Sequence, residues 1–204
     1  MSTLATDALA RVAVVGTSGS GKSTFARQLA QIRGTTHIEL DALHWGPNWT
    51  PAPKQRFRSA VDEATRQPKW ICDGNYQPVC DLVWGRATTV IWLNYSLPVV
   101  FSRALRRSIA RCMDGQPLFA GNRETFQLTF FNRQSVLLWV LQTYGQYRRE
   151  YRRLLAGSQF AHLQRVEFAT PKQAEKWLLE KRAGDSLSTS NMPNIAEVPG
   201  RLLD

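Results

Sequence analysis

The sharpest chemical pattern in the chain is Gly16-Thr17-Ser18-Gly19-Ser20-Gly21-Lys22-Ser23-Thr24, which satisfies G-x-x-x-x-G-K-[ST] at every fixed position. A row of phosphates needs several donors converging from one side, and backbone N–H groups approach closely only where side chains are small or absent. Gly16, Gly19 and Gly21 allow that path, so the nine residues form a candidate phosphate-binding loop. Lys22 adds a mobile positive charge for the outer phosphates, and Ser23 offers a hydroxyl to a magnesium ion. The apolar run at 11–15 reads as a buried parallel strand. Residues 22–32 carry Phe25, Ala26, Leu29 and Ala30 at helical spacing. The pattern therefore sits between a strand and a helix, as it must, and the helix aims its positive dipole end at the anion. A Gly/Ser linker matching by chance would lack both flanks.

Three further groups carry charge or hydrogen-bonding capacity at useful spacing. Glu39-Leu40-Asp41 closes a second apolar run at 36–40. Side chains two apart on a strand share a face, so both carboxylates are expected to point toward the same phosphate end. Trp70-Ile71-Cys72-Asp73-Gly74-Asn75-Tyr76 is a second strand-then-acid pattern. Arg103, Arg107 and Arg111 repeat at i, i+4 on one helix face and lead toward a glycine-rich segment with Arg123 beyond it.

The elements that must position these groups alternate. After the stretch at 45–53, rich in proline and tryptophan, the spacing predicts a helix over 54–66 and strands over 69–72 and 88–93. Pro98 opens a helix to about residue 111, a loop follows at 113–122, and 131–155 reads as helical with a break near Gly145. A strand over 162–168 and a helix over 171–181 complete the series. The chain beyond residue 184 turns to Ser, Thr, Asn and Pro without periodicity and is expected to be a disordered tail. Strands alternating with helices imply a mostly parallel sheet covered on both faces.

Bulk properties narrow the partners. At 204 residues and 43% hydrophobic composition the chain supports one domain, and no stretch reaches the roughly 18 apolar residues of a membrane span. Residues 1–10 have neither the basic nor the apolar region of a secretory leader. Cys72, Cys80 and Cys112 have no metal-ligand spacing and read as buried or free thiols, which fits a reducing cytoplasm. A net charge of +10 suits nucleic acid, an anionic surface or phosphorylated small molecules, and charge alone does not choose.

The chain has no Asn-Lys-x-Asp stretch of Ras-type guanine readers and no Leu-Ser-Gly-Gly-Gln of transporter ATPases. The remaining landmarks resemble the adenylate-kinase-like P-loop small-molecule kinases. Glu39-Leu40-Asp41 is similar to the acidic pair of shikimate and gluconate kinases, and Asp73-Gly74 to the Asp-Gly that adenylate kinases keep beside magnesium. Leu40 to Trp49, Trp70 to Tyr76 and Ile91 to Ser96 resemble most closely the subgroup labelled DNA topology modulation proteins, over residues 11–155. Two departures from adenylate kinase bear on the acceptor. Tyr76 stands where that family has arginine, and a tryptophan-containing stretch replaces its AMP-gripping Thr-Gly-Asp, so AMP is not implied.

The resemblance implies a three-layer α/β P-loop NTPase fold with a five-stranded parallel sheet in order 2-3-1-4-5 and a helical lid, residues 1–183 forming one kinase-like domain. It implies an acceptor-binding insertion at about 42–68 and the lid at about 112–132. ATP and Mg2+ are the implied cofactors, and a small-molecule phosphate acceptor the implied partner. Ser23, Asp73 and Glu39 would organise the metal. Asp41 would orient or deprotonate the acceptor, and a turn aspartate is its plainer reading. His44, Trp45, Asn75, Tyr76 and Arg123 are candidate acceptor contacts, with core packing the plainer reading of the aromatic residues. Arg103, Arg107 and Arg111 either meet the transferring phosphoryl group or form a solvated basic face. Arg148, Arg149, Arg152 and Arg153 sit near a helix end, where the dipole alone explains them. The rival function is a nucleotide-dependent nucleic-acid binder or regulator.

Overall fold

The computed structural model describes residues 7–114, 119–122 and 136–190. Five parallel strands form one sheet in the order β2-β3-β1-β4-β5: β1 (Arg11–Gly16), β2 (Thr36–Glu39), β3 (Trp70–Asp73), β4 (Thr89–Leu93) and β5 (Gln164–Phe168). Fold class and strand order are as the sequence and its resemblance imply. The helices are α1 (Lys22–Ile32), α2 (Leu40–His44), α3 (Lys54–Ala64), α4 (Cys80–Arg86), α5 (Leu97–Asp114), α6 (Val136–Ala156) and α7 (Pro171–Ser190).

Strand alternation separates the core into two layers. On one face Ala13 and Val15 of β1 join Cys72, Val90 and Trp92 beneath Phe57 and Val61 of α3, Trp84 of α4 and Tyr151 of α6. On the other, Val12 and Val14 join Ile71, Ile91 and Leu93 beneath Phe25 and Leu29 of α1, Val100 and Ala104 of α5 and Leu178 of α7. Both faces of β1 are covered, which is why its residues read as a continuous apolar run. The loop after β1 thus leaves the centre of the sheet at its carboxyl edge, where ligand sites of open parallel sheets gather. No helix among the described residues is long and apolar enough to cross a membrane.

Several local expectations are corrected. β2 ends at Glu39, and Asp41 lies in the first turn of α2, so the two carboxylates do not share a strand face. The reason is packing. Leu40 turns off the sheet and is 2% exposed. Gly74, at φ 141, brings β3 so close that a Cβ there would lie 2.7 Å from Leu40 Cβ. The short helix α4, unread in the sequence, buries Val83 and Trp84 on one turn. α6 runs unbroken through Gly145, and α7 continues to Ser190, past the point where the sequence loses periodicity. Arg123 and most of the expected lid lie outside the described residues, as do residues 191–204.

Candidate phosphate-transfer site

The loop from Gly16 to Gly21 is braced from two sides. Thr17 and Ser20 are buried, and the Ser20 N–H donates to the Thr17 carbonyl at 3.1 Å. α5 lies directly against the loop at Gly19, whose φ is 84. A Cβ there would sit 2.3 Å from the Val100 carbonyl and 3.0 Å from Ala104 Cβ. Gly19 is therefore fixed by the helix behind the loop as well as by the phosphate path in front. The same helix delivers two half-buried arginines. Arg107 Nη2 donates to Ser18 Oγ at 3.4 Å, and the Arg103 guanidinium would lie 3.6 Å from a Cβ on Gly21. Arg103 also rests over the Tyr95 ring, 5.9 Å from its centroid. Arg111 is one turn further along α5. The basic repeat is thus turned toward the loop at its first two members. Thr24 is exposed on α1.

At the mouth of the loop Lys22 Nζ donates to the Thr17 carbonyl at 3.3 Å. Burial pushes its pKa below the ordinary 10.5. Asp73 and Asp41 oppose that shift, Arg107 adds to it, and Glu39 opposes it again. The charges of the acids of β2, α2 and β3 and of the α5 arginine are thus all felt at Lys22. Glu39 pairs in register with Asp73, and burial first, then the Asp73 charge, holds its pKa above the ordinary 4.5. Asp73 is 2% exposed, and both its oxygens are engaged. Ser23 Oγ donates to Oδ2 at 2.7 Å, and His37 Nε2 lies 2.6 Å from Oδ1. His37 had no role in the sequence reading. Its one signal is the two-residue spacing to Glu39, which puts both on one face of β2.

A divalent cation fits this corner in a specific sense. The Ser23 hydroxyl donates to Asp73 Oδ2, with the Glu39 carboxylate also within hydrogen-bond reach, so two acids hold its one proton and its lone pairs remain for a hard cation. Among the described residues no three His, Cys, Asp or Glu side chains cluster as a metal cage.

The side facing Asp41 is aromatic. Tyr76 OH donates to Asp41 Oδ1 at 2.6 Å. Burial first, and then the Asp41 charge, holds the phenol pKa far above its ordinary range, against a hydrogen bond with the Trp45 side chain. The His44 ring packs at 4.7 Å from Trp45, 5.0 Å from Phe57 and 4.5 Å from Tyr76, and its buried Nδ1 finds no hydrogen-bond partner among the described residues. Its pKa is lowered by burial, with Asp41 opposing. Asn75 commits its amide nitrogen to the Gly16 carbonyl, and its buried Oδ1 has no partner among the described residues. Tyr147 of α6 also reaches this region. Its pKa is raised by burial, and Asp41 is among the charges acting on it. Asn122 ties the region together, donating to the Gly46 carbonyl at 2.9 Å and accepting from the Trp49 N–H at 3.1 Å. That amide bond satisfies a loop in which Asn48 and Trp49 both take positive φ. No motif or spacing marks Tyr147 or Asn122 for this region.

Comparison with protein-family models finds no match, and none is found among curated proteins. Solved structures do match. The shikimate kinase from Acinetobacter baumannii in complex with shikimate is 14% identical over 90% of this chain and 96% of that one, with a TM-score of 0.52. The shikimate kinase from Bacteroides thetaiotaomicron is also 14% identical, over 87% and 98%, with a TM-score of 0.51. A gluconokinase from Sinorhizobium meliloti 1021 is 20% identical over 90% and 95%, with a TM-score of 0.47. At these identities the likeness is one of fold.

Proposed function

We propose that the chain is an ATP-dependent phosphotransferase that moves the terminal phosphoryl group of ATP to a small nucleotide-, nucleoside- or sugar-like acceptor. Among kinases of this fold we place it nearest the subgroup labelled DNA topology modulation proteins. The observation that carries the reading is a complete phosphate loop whose Lys22 bonds the Thr17 carbonyl, with Arg107 on Ser18 to one side and Asp73 on Ser23 to the other. The fold shared with two shikimate kinases supports it.

Phosphoryl transfer asks a protein mainly for positioning and charge neutralisation. The loop N–H groups and Lys22 hold the phosphates, and Lys22 with Arg103 and Arg107 offsets charge on the moving group. Ser23, its hydroxyl donating to Asp73, would hold magnesium together with Asp73 and Glu39. A magnesium ion held there would supply neutralisation of the phosphate charge. On the other side Asp41, held by Tyr76, accepts the proton of the acceptor hydroxyl. Trp45 and His44 wall the acceptor.

A second reading, a nucleotide-dependent nucleic-acid binder, draws on the net charge of +10 and on the exposed Arg149, Arg152 and Arg153 of α6. The test is ADP release in the presence of nucleosides, nucleotides, sugars and cyclitols, with Lys22→Ala as control. Acceptor-dependent ADP release that Lys22→Ala loses supports the kinase. Wild-type ATP affinity and turnover in Lys22→Ala would overturn it.

A further inference from the structure

We propose that His37 is a positioning residue for the metal corner, holding Asp73 so that the Ser23 hydroxyl stays turned toward the cation. The inference rests on the phosphotransferase reading.

Asp73 is a carboxylate at 2% exposure, and a buried anion persists only when its oxygens are hydrogen-bonded. Its two described partners come from opposite sides. Ser23 in the first turn of α1 takes Oδ2 at 2.7 Å, and His37 of β2 takes Oδ1 at 2.6 Å. Both carboxylate oxygens accept, so the His37 proton resides on Nε2 and the ring donates. β2 and β3 pair in parallel with His37 beside Ile71 and Glu39 beside Asp73, so the ring reaches forward along the sheet to the end of the neighbouring strand. The backbone ladder cannot fix the carboxylate's torsion, but a ring anchored in the ladder can.

The consequence passes through Asp73 to Ser23. A serine hydroxyl rotates freely unless its proton has one fixed acceptor. With Oδ1 pinned, Oδ2 is presented to Ser23 in preference to the Glu39 carboxylate, which is also within reach of the hydroxyl, and the serine lone pairs keep one direction. Without His37 the carboxylate can turn, and the Ser23 proton can swing into the space a cation needs. Partners that orient metal-binding groups in this way change metal affinity about 10–100-fold when removed.

The test compares His37→Phe, which keeps a ring without the donor, with His37→Gln, which restores an N–H at similar reach. Mn2+ binding in the presence of ATP is followed by the loss of free-ion paramagnetic resonance signal. ATP affinity is measured separately in chelator. We expect Phe to weaken Mn2+ binding about tenfold or more, Gln to recover it to within about threefold, and metal-free ATP affinity to stay constant in both. His37→Met, also without a donor but adaptable in shape, gives the same comparison if the Phe variant fails to fold. Wild-type Mn2+ affinity in the donor-less variant overturns the inference. So does an equal loss of metal-free ATP affinity, which marks a purely structural role. A wild-type chain that binds neither ATP nor Mn2+ overturns the phosphotransferase reading and the inference together.

Discussion

Ser23 Oγ and Asp73 Oδ2 lie 2.7 Å apart, joining the first turn of α1 to the end of β3. The pair couples the phosphate loop to the sheet, and its loss strands one oxygen of a buried carboxylate. Ser23→Ala should lower stability by about 1–3 kcal/mol. It should also reduce turnover about 10²–10³-fold. Ser23→Thr keeps the hydroxyl and should preserve both. Thermal melts and ADP-release kinetics check the pair of variants. Equal loss in Thr and Ala would remove the hydroxyl from the explanation.

Asp41→Asn keeps size and removes charge. Under the proposed function Asp41, bonded by Tyr76, serves the acceptor, so ATP affinity should hold while transfer falls about 10²–10⁴-fold. Titration with ATP alone, set beside acceptor-dependent turnover, separates the effects. A matching drop in ATP affinity would reassign Asp41 to the phosphate side.

Gly19→Ala tests the contact between loop and helix. The position has φ 84, and its Cβ would lie 2.3 Å from the Val100 carbonyl. Left-handed backbone costs a non-glycine residue about 1–2 kcal/mol, and overpacking about 1–3 kcal/mol more. A Tm lower by about 5–15 °C is expected for a chain of this size. An unchanged Tm would mean that α5 does not press on the loop in solution.

His44 supplies a pH prediction. Burial lowers its pKa below the ordinary 6.5, so the folded chain binds this proton less readily than the unfolded one. Its contribution is then complete above pH 6.5 and is lost as pH falls from there through the folded value. His44→Phe, which suits the surrounding rings, should remove that part of the acid slope. Melts from pH 8 to 5 that fall equally steeply in both proteins would contradict a neutral buried ring.

The triple variant Arg103→Gln, Arg107→Gln, Arg111→Gln separates the two functions. In a kinase it should lose far more turnover than ATP affinity, because charge aimed at the moving group acts in the transition state. In a nucleic-acid binder it should lose DNA or RNA affinity, with the salt dependence flattened by about one unit per lost phosphate contact. Intact turnover with collapsed nucleic-acid binding would overturn the kinase assignment of α5.

The phosphate loop is legible in sequence because its function needs glycine at fixed local spacing, and the strand order follows from the resemblance its motifs carry. The remainder depends on contacts that local spacing does not encode. Tyr76 meets Asp41 only because Gly74 lets β3 end against Leu40. The His37 contact with Asp73 depends on a register between strands, and Glu39 and Asp41 part company because Leu40 is drawn off the sheet into the core. α4 escapes notice since one helical turn with Val83 and Trp84 is too short to display a period. Arg103 and Arg107 are legible as a pair, but their direction is set by Gly19, whose missing side chain admits the helix.

Asn122 holds the Gly46 carbonyl and the Trp49 N–H with one amide, so the turn at Phe119–Gly121 and the loop after α2 form a single mechanical part. Work done on one is transmitted to the other without passing through the sheet. Free-energy linkage then runs in both directions. Whatever factor an occupant beside Trp45 contributes to ligand affinity at the far side of this joint, a ligand there returns by the same factor.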